Sequence, residues 1–386
     1  MQVIRRSDVG TASSSLAMIV AGAIVAVVPA TAQAIASRAY TTGEQAHIAI
    51  ALGVGVLLSG VSSAAVIEAR LADPTIAHKS YIPWWSTAAG VLSGILLLFA
   101  PVTSWAVVFA MPLAMASLQM GRLHAISDHR WRGELATAAV LGVGCLSAFL
   151  VGTAGVSWAF LILAAAIIAA VAIRAIGVPS HPAEHVDPRK ALWVASETAI
   201  VASMPLILNS IVLGAISAEA AVGFRLILTV LGILQPVLGY MRTRLLRATS
   251  VRMVLFLSTL TMLTLIAVIV ADLLGLFAVI FSTSWAYVGF VPLVLACIWK
   301  ALSVPATLPF TRMRREGRVT AVFWARAASN VIYLAMGATA AHTAGTLESV
   351  FAALIVAEAA TMVLFTVLAR SVRQAPAGSG VDEDAA

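Results

Sequence analysis

Five ionisable side chains fall inside apolar stretches long enough to cross a bilayer: Glu197, Arg225, Lys300, Arg326 and Glu358. A charge at membrane depth is costly, so such residues mark either a pathway or a buried pair. Counted at 1.5 Å per residue, Glu197 and Arg326 each lie roughly 10 Å from the cytoplasmic end of their spans. Lys300 and Glu358 fall near the midplane, and Arg225 lies nearer the outer face. One arrangement pairs Glu197 with Arg326 and Glu358 with Lys300, which lowers the cost of burial. The other lines an aqueous cavity with Arg225, Lys300 and Arg326, three cations that would hold a diphosphate group through charge-assisted hydrogen bonds. Three cations against two acids leave one cation over, and Arg225 is the strongest single candidate. Asn209, Gln235 and Asn330 add uncharged donors, either to that cavity or to bonds between helices. Pro205, Pro236, Pro292 and Pro305 also fall within spans, where each is a kink or a packing bend.

Other chemistry is poorly supported. His181-Pro-Ala-Glu184-His185 has the spacing of a zinc-protease motif, but Pro182 stands where one helix face would have to carry both histidines. It reads as a solvated linker, with no metal site. Cys145 and Cys297 both lie in apolar runs and read as two separate thiols. A phosphate-binding glycine loop is absent, so no nucleotide or other cofactor is expected.

The elements that must position these charges are membrane helices. Of 386 residues, 61% are hydrophobic and 11% charged, with a mean hydropathy of +0.99. That composition excludes a soluble enzyme, a secreted domain and a disordered scaffold. Scanning for runs of about 20 apolar residues gives twelve predicted spans, at 13–36, 46–67, 84–101, 104–121, 135–152, 156–176, 191–215, 219–240, 253–274, 285–309, 319–340 and 348–369. Arg5, Arg6 and the small residues around Gln33 imitate a secretory signal. The apolar run is nevertheless long enough to span, and it is expected to be retained.

Of the 24 Lys and Arg, twenty fall in the alternate connections and termini, among them Arg122, Arg130, Arg174, Arg242 and Arg315. Only Arg38 falls on the other side. The positive-inside rule then makes both termini cytoplasmic, in the inner cell membrane of the multi-pass plan. The net charge of +7 is thus a topology signal, with attraction to anionic membrane lipid second and no role for nucleic acid.

At an offset of 180 residues, Thr103-Ser104-Trp105-Ala106 recurs as Thr283-Ser284-Trp285-Ala286, and Pro112-Leu113 recurs as Pro292-Leu293. Both copies are expected to open a span from the outer side. The fold class is therefore all-α integral membrane, with about twelve spans in two parallel six-helix bundles. Residues 1–176 form the first bundle, 177–190 a proline-containing cytoplasmic linker, 191–373 the second bundle and 374–386 a disordered tail.

The sequence also resembles a family. Ala221-Val-Gly-Phe-Arg225, Gln235-Pro236, Arg242-Thr-Arg244, Phe281-Ser-Thr-Ser-Trp285-Ala286 and Arg315-Glu-Gly317-Arg318 are similar in pattern to the second half of polysaccharide (O-antigen-type) flippases. These belong to the multidrug/oligosaccharidyl-lipid/polysaccharide exporter superfamily. The major-facilitator motif is absent, since residues 68–74 read Glu-Ala-Arg-Leu-Ala-Asp-Pro, and no acidic residue falls within the first-bundle spans as it does in the drug-exporter branch.

The resemblance implies a flippase that moves a lipid-linked saccharide outward by alternating access, with polysaccharide-assembly proteins as partners and Arg225, Lys300 and Arg326 in a cationic cavity. A proton- or sodium-coupled exporter of small molecules, with Glu197 or Glu358 titrating, is the alternative. A membrane-embedded polymerase or glycosyltransferase is a third reading, disfavoured by short outer connections. The chain is expected to be no enzyme.

Overall fold

The computed structural model describes residues 4–71, 81–128, 130–180, 188–234, 251–315 and 319–370. Lipid cannot hydrogen-bond the backbone, so each apolar stretch must satisfy its own amides, and helices do so. No strand occurs among the described residues.

Helices α1 (Ile4–Ala39), α2 (Thr42–Ser63), α3 (Trp84–Leu97), α4 (Trp105–Ser127), α5 (Trp131–Gly152) and α6 (Ala159–Ala175) make up the first half of the chain. The second half contains α7 (Pro188–Ala215), α8 (Ala218–Leu231), α9 (Val251–Leu273), α10 (Phe290–Arg315), α11 (Val319–Ala344) and α12 (Leu347–Arg370). Among the described residues, six helical segments are long and apolar enough to cross a membrane as they stand. They lie in α1, α2, α4, α5, α7 and α12. Helix α9 and the following segment add a seventh if taken together, bent by 70°. The chain is a multi-pass helical membrane protein.

Its surface is apolar where a soluble protein would be polar. On α5, Val143, Leu146 and Leu150 are exposed one helical turn apart, while Leu141, Cys145 and Ala148 on the opposite face are buried. Trp84, Trp131, Trp193 and Trp324 are exposed near the starts of α3, α5, α7 and α11. Trp105 and Trp158 are exposed near the starts of α4 and α6, a distribution suited to aromatic belts at two interfaces.

The packing repeats along the chain. Helix α1 lies on α5 and α5 on α6; α7 lies likewise on α11 and α11 on α12. One buried core is drawn from residues 25–171, and a second mostly from 208–357. The seam between them is chiefly α2 against α7. There Gly53 and Gly60 let α2 approach Leu206, Thr198 and Ala202 closely. The end of α2 continues as a π-helical turn, Ala64–Glu68, also against α7.

Two sequence expectations need correction. The second Thr-Ser-Trp-Ala copy does not open a helix: it sits in a 3₁₀ segment, Ser282–Tyr287, and α10 starts only at Phe290. Ser282 has φ 54° and Gly289 φ 70°, and the second of these positions corresponds to Phe109, within α4. Glycine permits the left-handed break that phenylalanine resists. Pro292 therefore lies in the first turn of its helix, where a missing N–H costs little.

Buried charges, moreover, are not confined to the second half. Arg70, Glu134 and Arg174 are buried in the first. Hydropathy scanning stops at a charge, whereas the helix runs on through it. Gln235, the His181–His185 motif, half of the linker and the tail lie outside the described residues.

Candidate functional site

At the α1–α2 end of the seam, polar contacts join the two halves. Ser284 of the second half donates to Gln45 at 2.8 Å, and its repeat partner Ser104, within the first half, donates to Glu44 at 2.7 Å. Both copies of the tetrapeptide thus fasten to adjacent residues in the first turn of α2. Thr42 and Tyr287 hydroxyls lie 3.4 Å apart. Arg38 donates to the Ile280 carbonyl at 2.5 Å and to that of Val279, at the end of the short helix Leu276–Phe281. A cation suits that C-terminal dipole. One turn deeper, Thr229 donates to Gln33 at 3.0 Å, joining α8 to α1. This end of the seam is closed.

Asn209 and Arg225 lie beside these contacts, Arg225 one helical turn nearer the α7–α8 turn than Thr229. Each is about seven residues from the α7–α8 turn, so the hairpin places them at similar depth, roughly 10 Å in. Asn209 follows Thr198, Ala202 and Leu206 at helical spacing, which puts it on the stripe facing α2. It is 2% exposed, and neither its Oδ1 nor its Nδ2 has a hydrogen-bond partner among the described residues. Arg225 is 6% exposed and its Nε is likewise unpartnered. Gln33, buried in α1, has its Nε2 free of a partner as well. These are three donor groups at buried positions that approach the seam from α1, α7 and α8.

The other predicted residues are placed differently. Arg326 forms an ion pair with Glu197, Nε to Oε1 at 3.3 Å, between α11 and α7. Asn330 donates to the Ile200 carbonyl at 2.7 Å, one turn along the same helix pair. Glu358 is 7% exposed and accepts from Trp299 Nε1–H at 3.1 Å and from the Tyr333 hydroxyl. Lys300 stands 3.8 Å over the Trp299 ring, so the cation and the carboxylate bear on one indole. Lys300 and Arg326 are thus held in settings of their own, at Trp299 and Glu197, apart from Arg225 on α8.

Sequence reading missed a buried cluster in the first half. Arg174 spans Glu134 bidentately, Nε at 3.0 Å and Nη2 at 2.5 Å, and its Nη1 donates to the Leu118 carbonyl at 2.6 Å. Arg122 lies close by, packed against Gly22 of α1. Both arginines count as cytoplasmic topology markers in the sequence. The available signal was Glu134, which stands one residue before a predicted span and is 1% exposed. It also corrects the expectation that the first half carries no acidic group within its helices, although here the acid is tied to arginine.

No family model and no curated protein matches this chain. Solved structures do. An outward-facing multidrug resistance MATE family transporter of the MOP superfamily matches with TM-score 0.56 at 12% identity, covering 93% of this chain and 94% of that one. An inward-facing structure of such a transporter matches with TM-score 0.57 at 13% identity, over 93% and 100%. A MATE protein in complex with MaL6 matches with TM-score 0.55 at 12% identity, over 93% and 94%. The chain has the fold of MATE transporters of the MOP superfamily, at identities that carry the fold alone.

Proposed function

We propose that the protein is an alternating-access transporter that moves an anionic, lipid-linked saccharide from the cytoplasmic to the outer leaflet of the inner cell membrane. The observation that carries this reading is Arg225: a buried guanidinium at the seam, with no counter-ion among the described residues, in a MATE-like fold. A buried cation without a partner is strongly disfavoured unless an anion meets it. A phosphate-bearing head group supplies one, with bidentate geometry that suits arginine.

In this reading all twelve helices serve as spans, both termini are cytoplasmic, and residues 1–176 and 191–373 are the two moving bundles. The closed α1–α2 end belongs to a state shut toward the outside. Asn209 and Gln33 offer further donors to the same anion. Lys300 is a second contact, and Arg326, tied to Glu197, holds α7 to α11. Polysaccharide-assembly proteins are its natural partners. We read it as a translocator and not an enzyme, since the connections at 153–158 and 216–217 are short.

The deciding experiment is export of lipid-linked saccharide by cells expressing Arg225→Ala at normal levels. Export falls at least tenfold under this proposal; unchanged export removes the cavity role.

A second reading, a proton-coupled exporter of small molecules, is favoured by Glu358. Its carboxylate is buried beneath Trp299 and Tyr333, a setting in which protonation would rearrange three helices. Glu358→Gln then abolishes proton-driven efflux, whereas under the flippase reading it leaves proton dependence unaltered.

A further inference from the structure

We infer that a recess between α3 and α6 binds one acyl chain of an anionic phospholipid from the leaflet that Trp84 reaches. This stands apart from the transport reading, since the recess lies on the first-half helices away from Arg225.

The recess has a volume of about 590 Å³, within the roughly 300–1,000 Å³ typical of ligand clefts. Trp84, Val91, Leu92 and Ile95 line one side, and Ala175 and Val178 the other. The wall is almost entirely apolar, so water has no partners along it and hydrocarbon does. Its length fits one chain of one leaflet. Trp84 to Ile95 is eleven residues of helix, roughly 16 Å, against about 15 Å for half the hydrocarbon core. Trp84, Leu92, Ile95, Leu98 and Phe99 are all exposed, so the recess opens on the lipid-facing side.

Two features distinguish it from ordinary annular surface. It is bounded at the Trp84 end: the Ile82 amide donates to the Pro179 carbonyl at 3.1 Å, tying residues 81–83 to 178–180. On its far side, Gly90 and Gly94 seat α3 so tightly on Ser117, Val171 and Ile168 that the helix cannot slide in to fill the space.

The Trp84 end is also polar and basic. Thr87 and Ser180 border it. Arg130 is exposed and reaches to within 3.4 Å of the Ile176 carbonyl, two residues from Val178. A single cation at headgroup level, above a slot for one chain, selects an anionic glycerophospholipid over a zwitterionic one.

The test uses the full chain in nanodiscs of phosphatidylcholine and phosphatidylglycerol, with a photo-crosslinking residue at Leu92 or, as the annular control, at Val143 on α5. Val143 is 68% exposed and does not line this recess. Adducts are identified by mass. The expected result is a phosphatidylglycerol excess at Leu92 of about fivefold over Val143, one basic side chain's worth of attraction. Arg130→Gln removes the excess while crosslinking persists, and Ala88→Leu, which narrows the slot, lowers all adducts at Leu92. Equal lipid selection at the two positions overturns the proposal. So does displacement of the phosphatidylglycerol adduct by one equivalent of polyprenyl phosphate, which would assign the recess to a substrate tail.

Discussion

Asn209 is the side chain whose chemistry is least satisfied by the fold. A buried amide with neither atom bonded costs about 1–3 kcal/mol. Asn209→Leu, which keeps the volume and removes the polar atoms, should raise the thermal midpoint in detergent while lowering transport; a fall in both would make the residue purely structural. The Arg174–Glu134 pair should behave in the opposite way. Glu134→Gln leaves a buried guanidinium short of its counter-charge and is expected to cost about 3–5 kcal/mol, read as loss of folded protein on heating. These two residues also mark the reach of sequence reading. Asn209, Arg225 and the Glu197–Arg326 contact were legible because each polar group interrupts an apolar run. Arg174 was not, because a cation at a helix end looks the same in sequence whether it turns toward water or toward an acid forty residues away.

Among the elements, α8 meets the 3₁₀ segment backbone to backbone. A Cβ on Gly223 would stand 2.4 Å from the Tyr287 carbonyl oxygen, a backbone atom with little freedom to yield. Gly223→Ala should therefore destabilise by about 1–3 kcal/mol, whereas Gly214→Ala, with nothing within 4 Å, should be neutral or stabilise by up to about 1 kcal/mol. Comparing the two melting midpoints separates steric contact from helix propensity. The duplicated tetrapeptide was legible as a repeat, and the α1–α5–α6 packing recurs as α7–α11–α12. What could not be read was the local break at Ser282 and Gly289. An identity match reports shared residues, while the difference lies at 289, where glycine replaces the phenylalanine of the first copy.

For the whole molecule, the transport proposal turns on whether the seam between α2 and α7 opens. Gly60 and Ala202 are placed so that their Cβ atoms would lie 3.6 Å apart, inside the range of a disulfide. Gly60→Cys with Ala202→Cys should therefore crosslink on oxidation. The native Cys145 and Cys297 are buried and should not compete. If the halves part at this seam, transport falls to background and returns on reduction; persistence of transport in the crosslinked protein would place the moving parts elsewhere. Composition and cation placement made the membrane class and the helices legible. The order in which those helices pack was not, because a lipid-facing and a core-facing stripe are both apolar, and only small residues such as Gly53 and Gly60 hint at which face meets a neighbour.

Both copies of Thr-Ser-Trp-Ala hold the same turn of α2 through Ser104 and Ser284. That is a fastening with a spare: either serine lost leaves the other in place. The two tryptophans beside them are used differently, Trp105 lying open beside His47 and Phe109, and Trp285 buried with its indole on Asp272.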